Sequence, residues 1–118
     1  MQSMIILLLF AHLIGDFLLQ SRIMALNKSK SLYYLCRHGI DVGGSVFIVF
    51  LIFKPFAIAV ILTLIYTTVH CLQDFTIWRA AKSFFKPDEK YYETKKFYDI
   101  IGIDQFLHLA FLVFLSSF

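Results

Sequence analysis

Charge is scarce in this chain. Of 118 residues, 11 are Lys or Arg and 8 are Asp or Glu, so charged side chains make up 16%, against about a quarter in a soluble domain. Proline and glycine are few, with 2 and 5 copies, and there are 2 cysteines. Those low counts exclude a collagen-like fibre and a disulfide scaffold. Disorder is excluded from the other side, because 59% of residues are hydrophobic and mean hydropathy is +0.75,. A water-soluble globule of this length leaves too much surface exposed to hide that much apolar material. The composition is that of an integral membrane protein, with room for one domain and not two.

What is present is apolar and segmented. Residues 1–21 hold a single charge, Asp16, and residues 42–53, 55–73 and 105–118 hold none. Apolar segments at about 3–20, 39–53, 56–78 and 100–118 predict helices over about 3–20, 38–53, 55–80 and 100–118. About 20 helical residues cross a hydrocarbon core of roughly 30 Å, and a short second segment is accommodated by a thinned bilayer or by residues borrowed from its flank. Unbroken runs such as Ile58-Ala59-Val60-Ile61-Leu62 lack the alternation of a β-barrel. The expected fold is all-α, a polytopic four-transmembrane-helix bundle formed by residues 1–118 as one membrane domain. Lys54-Pro55 marks a tight turn, Lys86-Pro87-Asp88-Glu89-Lys90 a second, and Tyr91, Tyr92, Phe97 and Tyr98 suit the membrane interface,. The stretch around Asn27-Lys28-Ser29-Lys30-Ser31 reads as loop. The first segment has no basic n-region or small-residue cleavage site, and is expected to be a retained helix.

Ten of the eleven basic residues fall outside the Lys54 turn, in the loops at about 21–37 and 79–99. The positive-inside rule then places those loops in the cytoplasm and both termini outside. Cys36 and Cys71 lie near the cytoplasmic side, where thiols stay reduced. The clustered basic residues read as headgroup contacts, and nucleic-acid binding is not expected.

Four histidines are present, and each has an aspartate three or four residues away: His12–Asp16, His38–Asp41, His70–Asp74 and Asp104–His108. That spacing puts the two members of a pair on one helix face. In an up-down-up-down bundle all four pairs fall at a similar depth, beside the cytoplasmic loops, with Gln20, Ser45, Thr67 and Gln105 on or beside the same polar faces,. Carboxylates crowded in a low dielectric repel or take up protons unless cations neutralise them. Imidazole nitrogens and carboxylate oxygens suit a divalent metal, zinc first, with iron or manganese as alternatives. The eight residues offer ligands for one or two ions, some of them serving instead to orient a ligated histidine. The blander possibilities are polar glue between helices and solvated caps at helix ends, and His38 and Asp41 are most open to these. Ionisable groups within a membrane nonetheless point to function by default. Gly15, Gly43 and Gly44 are expected to let helices pack closely, and the cysteines to behave as small hydrophobes.

The run His12-Leu13-Ile14-Gly15-Asp16-Phe17-Leu18-Leu19-Gln20, followed by Asn27-Lys28, His38-Gly39, His70…Asp74 and Asp104-Gln105…His108, resembles a family of small bacterial and phage membrane proteins catalogued as domain of unknown function 3307. The resemblance implies a bacterial inner-membrane setting and supplies a candidate site without a reaction. There is also a loose similarity to membrane-bound metal-dependent hydrolases with scattered His and Asp.

The leading functional expectation is a metal-dependent hydrolase acting at the cytoplasmic leaflet on a phosphorylated or lipid substrate, with Asp16 and Asp74 as catalytic carboxylates. Arg22, Lys28, Lys30, Arg37 and Arg79 are placed to attract an anionic headgroup. An ion or proton carrier with a His–Asp relay is the alternative, although a pathway should cross the membrane and these pairs lie toward one side. Bis-His haem ligation leaves the aspartates unexplained, a di-iron redox site fits the ligand types, and a non-catalytic membrane subunit is the remaining reading. A small chain of this kind is expected to need a homo-oligomer for a full substrate pocket.

Overall fold

A computed structural model describes residues 1–82 and 94–118. Helix α1 (Gln2–Leu13) runs directly into a π-helical turn (Ile14–Leu18). It is followed by the short α2 (Arg22–Asn27) and three long helices: α3 (Leu32–Phe53), α4 (Phe56–Ala81) and α5 (Lys95–Ser116). No strand occurs among the described residues. The Lys86–Lys90 turn and Tyr91 and Tyr92 lie outside them.

Three helices, α3, α4 and α5, are long and apolar enough to cross a membrane, while Gln2–Leu18 is a shorter apolar helix. A helix satisfies its backbone hydrogen bonds internally, which is what a hydrocarbon solvent demands. The outward faces are apolar, with Phe10, Ile40, Ile52, Leu64 and Phe114 all exposed. The interior at the chain-terminal end is a dry cluster that includes Leu8, Val42, Val46, Phe50, Leu62 and Leu112.

The ends of the helices follow from local chemistry. Lys54 is extended (φ −130°, ψ 152°), and Pro55 at the N-cap of α4 has no N–H to leave unsatisfied,. Ser21 Oγ accepts from the N–H of Met24, capping α2,. The stretch read from sequence as unstructured loop therefore contains a helical turn, and the six-residue α2 is too short to show an apolar period,. Helix α3 begins at Leu32, ahead of the expected residue 38, and α5 begins at Lys95, ahead of residue 100. Polar residues at these ends hid the helices from a count of apolar length.

Helix α3 packs against α1 and α4, and α5 closes the ring against α4 and α1. At two of these crossings a side chain would not fit. A Cβ on Gly15 would lie 2.7 Å from the Cα of Val42, and one on Gly43 would collide with the Thr67 hydroxyl. Gly44, expected to serve the same end, meets nothing within 4 Å; it faces outward, so its lack of a side chain serves no crossing.

Candidate metal centre

The polar side chains collect at the end of the ring that carries α2. His12 lies in the last turn of α1, and Asp16 in the π turn. His38 comes from α3, His70 and Asp74 from α4, and Asp104 and His108 from α5. None of the seven is more than 2% exposed, and His38, His70, His108 and Asp74 are wholly enclosed. The helical i, i+4 spacing explains how α4 and α5 each deliver two groups to the same point. Asp16 depends on something more local. The N–H of Leu19 bonds to the carbonyl of Ile14, five residues back, at 2.9 Å. One extra residue per turn widens the helix and re-aims its side chains, as π-helical turns at functional sites commonly do. With Gly15 against the α3 backbone, Asp16 reaches across to His38.

Four ligand atoms converge. His38 Nε2 lies 2.9 Å from Asp16 Oδ1 and 3.1 Å from Asp74 Oδ2. His70 Nε2 lies 3.3 and 3.2 Å from the same two oxygens. The two nitrogens are 3.1 Å apart. Four ligands placed tetrahedrally at zinc-like bond lengths of 2.0–2.1 Å would be separated by about 3.3 Å. The observed separations approach that figure. Asp16 Oδ1 and Asp74 Oδ2 are buried with no hydrogen-bond donor beyond these imidazole nitrogens, which is costly for a carboxylate unless a proton or a cation in the cluster compensates it.

Beside this group stands a second. His108 Nε2 is 3.2 Å from Asp74 Oδ1 and 3.2 Å from Asp104 Oδ1. Asp74 thus presents one oxygen to each group. The His70 and His108 rings stack with centroids 3.9 Å apart.

A hydrogen-bonded chain orients the imidazoles. Gln105 Nε2 donates to Asp16 Oδ2 at 2.7 Å, which leaves Gln105 Oε1 to accept from His12 Nε2 at 2.9 Å. His12 Nδ1 then accepts from the Tyr66 hydroxyl at 2.7 Å, and the Tyr66 oxygen is placed to accept from His70 Nδ1 at 3.4 Å. Both nitrogens of His12 are occupied by this chain, while His70 is left with its Nε2 lone pair aimed at the four-atom cluster. His108 Nδ1 donates to Gln73 Oε1 at 2.7 Å. Such bonds fix tautomer and ring direction in metal sites.

Seven of the eight residues singled out from the sequence are brought together. Asp41 is not among them. It is half-buried, its carboxylate makes no ion pair among the described residues, and its main-chain carbonyl accepts from Ser45 Oγ. His38 pairs with Asp16 and Asp74 from other helices, rather than with its own neighbour. Gln20 is half-buried, with Oε1 unpartnered, and Thr67 packs on Gly43 instead of entering the cluster.

Three members were not legible as such. Tyr66 and Gln73 look like ordinary helix residues, although Tyr66 precedes His70 by one turn. Lys28, read as a headgroup contact, is buried, with Nζ 3.3 Å from Asp74 Oδ1 and 3.9 Å from Asp16 Oδ1. Its segment is fastened by Arg79, whose Nε donates to the Ser29 carbonyl at 2.9 Å. Just beyond the apolar span, the Lys82 amine is held below the ordinary lysine value by partial burial and then by the charges of Lys30 and Arg79.

Residues 4–118 match the family described as Protein of unknown function (DUF3307). The chain belongs to that family. No curated protein and no solved structure matches it significantly. Within the matched range, His12, Asp16, Lys28, His38, His70, Asp74, Asp104, Gln105 and His108, scattered through the sequence, are gathered into one site.

Proposed function

We propose that this protein is a membrane-embedded, metal-dependent hydrolase whose ion is held by Asp16, His38, His70 and Asp74. The observation that carries the reading is the convergence of these four side chains, whose two inner carboxylate oxygens have no hydrogen-bond donor other than the imidazoles. Zinc suits the two-imidazole, two-carboxylate donor set, with iron or manganese as alternatives. When bound, the ion would activate water and polarise a phosphoryl or acyl oxygen. The chain's own residues supply the rest. Gln105, through His12 and Tyr66, holds His70 in its ligating tautomer, and Gln105 also fixes the outer oxygen of Asp16. Asp74 Oδ1 is held between the Lys28 ammonium and His108 Nε2, which positions the carboxylate.

In this reading α1 with its π turn is a fourth, short span accommodated by local thinning. Both termini are outside and the site faces the cytoplasmic leaflet of a bacterial inner membrane, since ten of the eleven basic residues fall in the sequence segments 21–37 and 79–99 that flank the site's helices,. The substrate is an anionic lipid or another phosphorylated compound, drawn by the charge around Lys30, Arg79 and Lys82.

The His12–Tyr66–His70 chain also favours a second reading, a proton or ion carrier. Against it, the other half of the bundle is closed by Leu8, Val46, Phe50 and Leu112, which offer no polar path.

Elemental analysis of detergent-purified, zinc-replete protein tests the metal on which the first reading depends. About one zinc per chain, lost in His38→Ala and Asp74→Asn, is the expected result. Absence of any transition metal in wild type, with melting insensitive to chelator, would overturn the metal reading.

A further inference from the structure

Asp74 has a second oxygen, and it is engaged elsewhere. Oδ2 belongs to the four-atom cluster described above. Oδ1 faces His108 Nε2 at 3.2 Å and the Lys28 ammonium at 3.3 Å. Next to it, Asp104 Oδ1 is buried with no hydrogen-bond donor beyond His108 Nε2 at 3.2 Å. His108 Nε2 meets these two carboxylate oxygens through a proton or through a cation.

We propose that Asp74 bridges two cation positions, the second built from Asp74 Oδ1, Asp104 Oδ1 and His108 Nε2, and that Lys28 and a second divalent ion compete for it. The proposal rests on the metal reading above and goes one ion further.

Charge counting supports the competition. Asp16, Asp74 and Asp104 carry three negative charges into the buried site, and Lys28 returns one. With neutral imidazoles, a single divalent ion completes the balance. A second would leave an uncompensated excess in a low dielectric, which is strongly unfavourable. It therefore enters only as the ammonium leaves or as an anion arrives. Lys28 is suited to leave. It sits at the C-cap of the six-residue α2, its segment is tied down through Ser29 rather than through its own side chain, and its amine ends a flexible four-carbon stem,. An anion that draws Lys28 away from Asp74, or that itself bridges the ions, would complete a two-ion site. Phosphoryl oxygens are ligands of this kind in two-metal hydrolases. The inference thus narrows the substrate to an oxyanion, a phosphate ester before a carboxylic ester.

The test is a cobalt(II) titration of metal-free, detergent-solubilised full-length protein, followed by absorption and by electron paramagnetic resonance. Wild type is expected to take one ion tightly and a second more weakly, the second altering the resonance of the first through the shared carboxylate. Lys28→Met, and independently Lys28→Gln, should tighten the second step at least about tenfold and leave the first little changed. Asp104→Asn should lose the second ion and keep the first. A single equivalent in wild type and in both Lys28 variants would sink the second position while leaving the metal reading intact. So would loss of both ions in Asp104→Asn, provided its helical circular dichroism matches wild type. No cobalt uptake by any folded variant removes the metal reading and this inference together.

Discussion

His38 Nε2 and His70 Nε2 face each other at 3.1 Å, with Asp16 Oδ1 and Asp74 Oδ2 completing the group. Between two imidazole nitrogens at this distance at most one proton fits, and His70 has its Nδ1–H directed at Tyr66. A proton on His38 Nε2 or a metal ion in its place would hold the group together. Thermal melting discriminates. A ligand at about one hundred times its dissociation constant adds about 2.7 kcal/mol to stability, so zinc should raise the melting temperature of metal-free protein by several degrees and chelator should reverse the rise. Asp74→Asn should lose that response. In chelator the same variant should melt no lower than wild type, because it removes one of three buried carboxylate charges that the single Lys28 ammonium does not balance,. A variant that responds to zinc as wild type does would show that Asp74 is not a ligand.

Tyr66 connects His12 to His70 without offering a ligand atom of its own. Tyr66→Phe keeps the ring and the packing while cutting the connection. Expected losses are about 10–100-fold in metal affinity and roughly 1 kcal/mol in stability. Dialysis against a competing zinc indicator measures the first, denaturant unfolding the second. Unchanged affinity would mean that His70 is oriented by packing alone.

How much of this was legible in the sequence depends on the range of the signal. The helical bundle followed from uncharged runs such as 55–73, since hydrocarbon admits few alternatives. The i, i+4 pairs His12–Asp16, His70–Asp74 and Asp104–His108 followed from helix periodicity,. The role of Lys28 did not follow, because its partner Asp74 lies far along the chain and a lysine in a basic loop resembles its neighbours. Nor did the π turn at Ile14–Leu18, where Gly15 is the local hint and packing on α3 the cause.

Gly15 and Gly44 give a paired test of that packing. Gly15→Ala places a methyl 2.7 Å from the Val42 Cα and must separate α1 from α3. About 1–3 kcal/mol of destabilisation is expected, as for other overpacked sites, together with weaker metal binding because Asp16 moves with α1. Gly44→Ala meets open space and should be neutral or stabilising by up to about 1 kcal/mol, the usual gain of alanine over glycine inside a helix. Equal effects at the two positions would contradict the close crossing of α1 and α3.

Orientation is accessible through single cysteines in a background lacking Cys36 and Cys71. Lys54→Cys, at the turn between α3 and α4, should react with an impermeant maleimide applied to intact cells. Lys30→Cys, at the opposite end, should react only after the membrane is opened. The reverse pattern would turn the site toward the outer leaflet and exclude a cytoplasmic substrate.

Asp41 and Asp16 are the sharpest comparison between the two levels of description. Each lies three or four residues from a histidine, and sequence spacing alone gives both the same standing. In the folded chain Asp16 Oδ1 is 2.9 Å from His38 Nε2, whereas Asp41 is half-buried and takes no part in the cluster. Asparagine at either position preserves size and removes one negative charge. Asp16→Asn should reduce zinc binding by at least about 10–100-fold, as loss of a ligand or its orienting partner does. Asp41→Asn should leave zinc stoichiometry and affinity unchanged and alter stability by no more than about 0.5 kcal/mol, the scale of substitutions away from buried networks. Isothermal titration of the two variants with zinc, beside wild type, makes the measurement. If Asp41→Asn loses the ion and Asp16→Asn retains it, the binding site lies on the outer face of α3 and the buried cluster is structural.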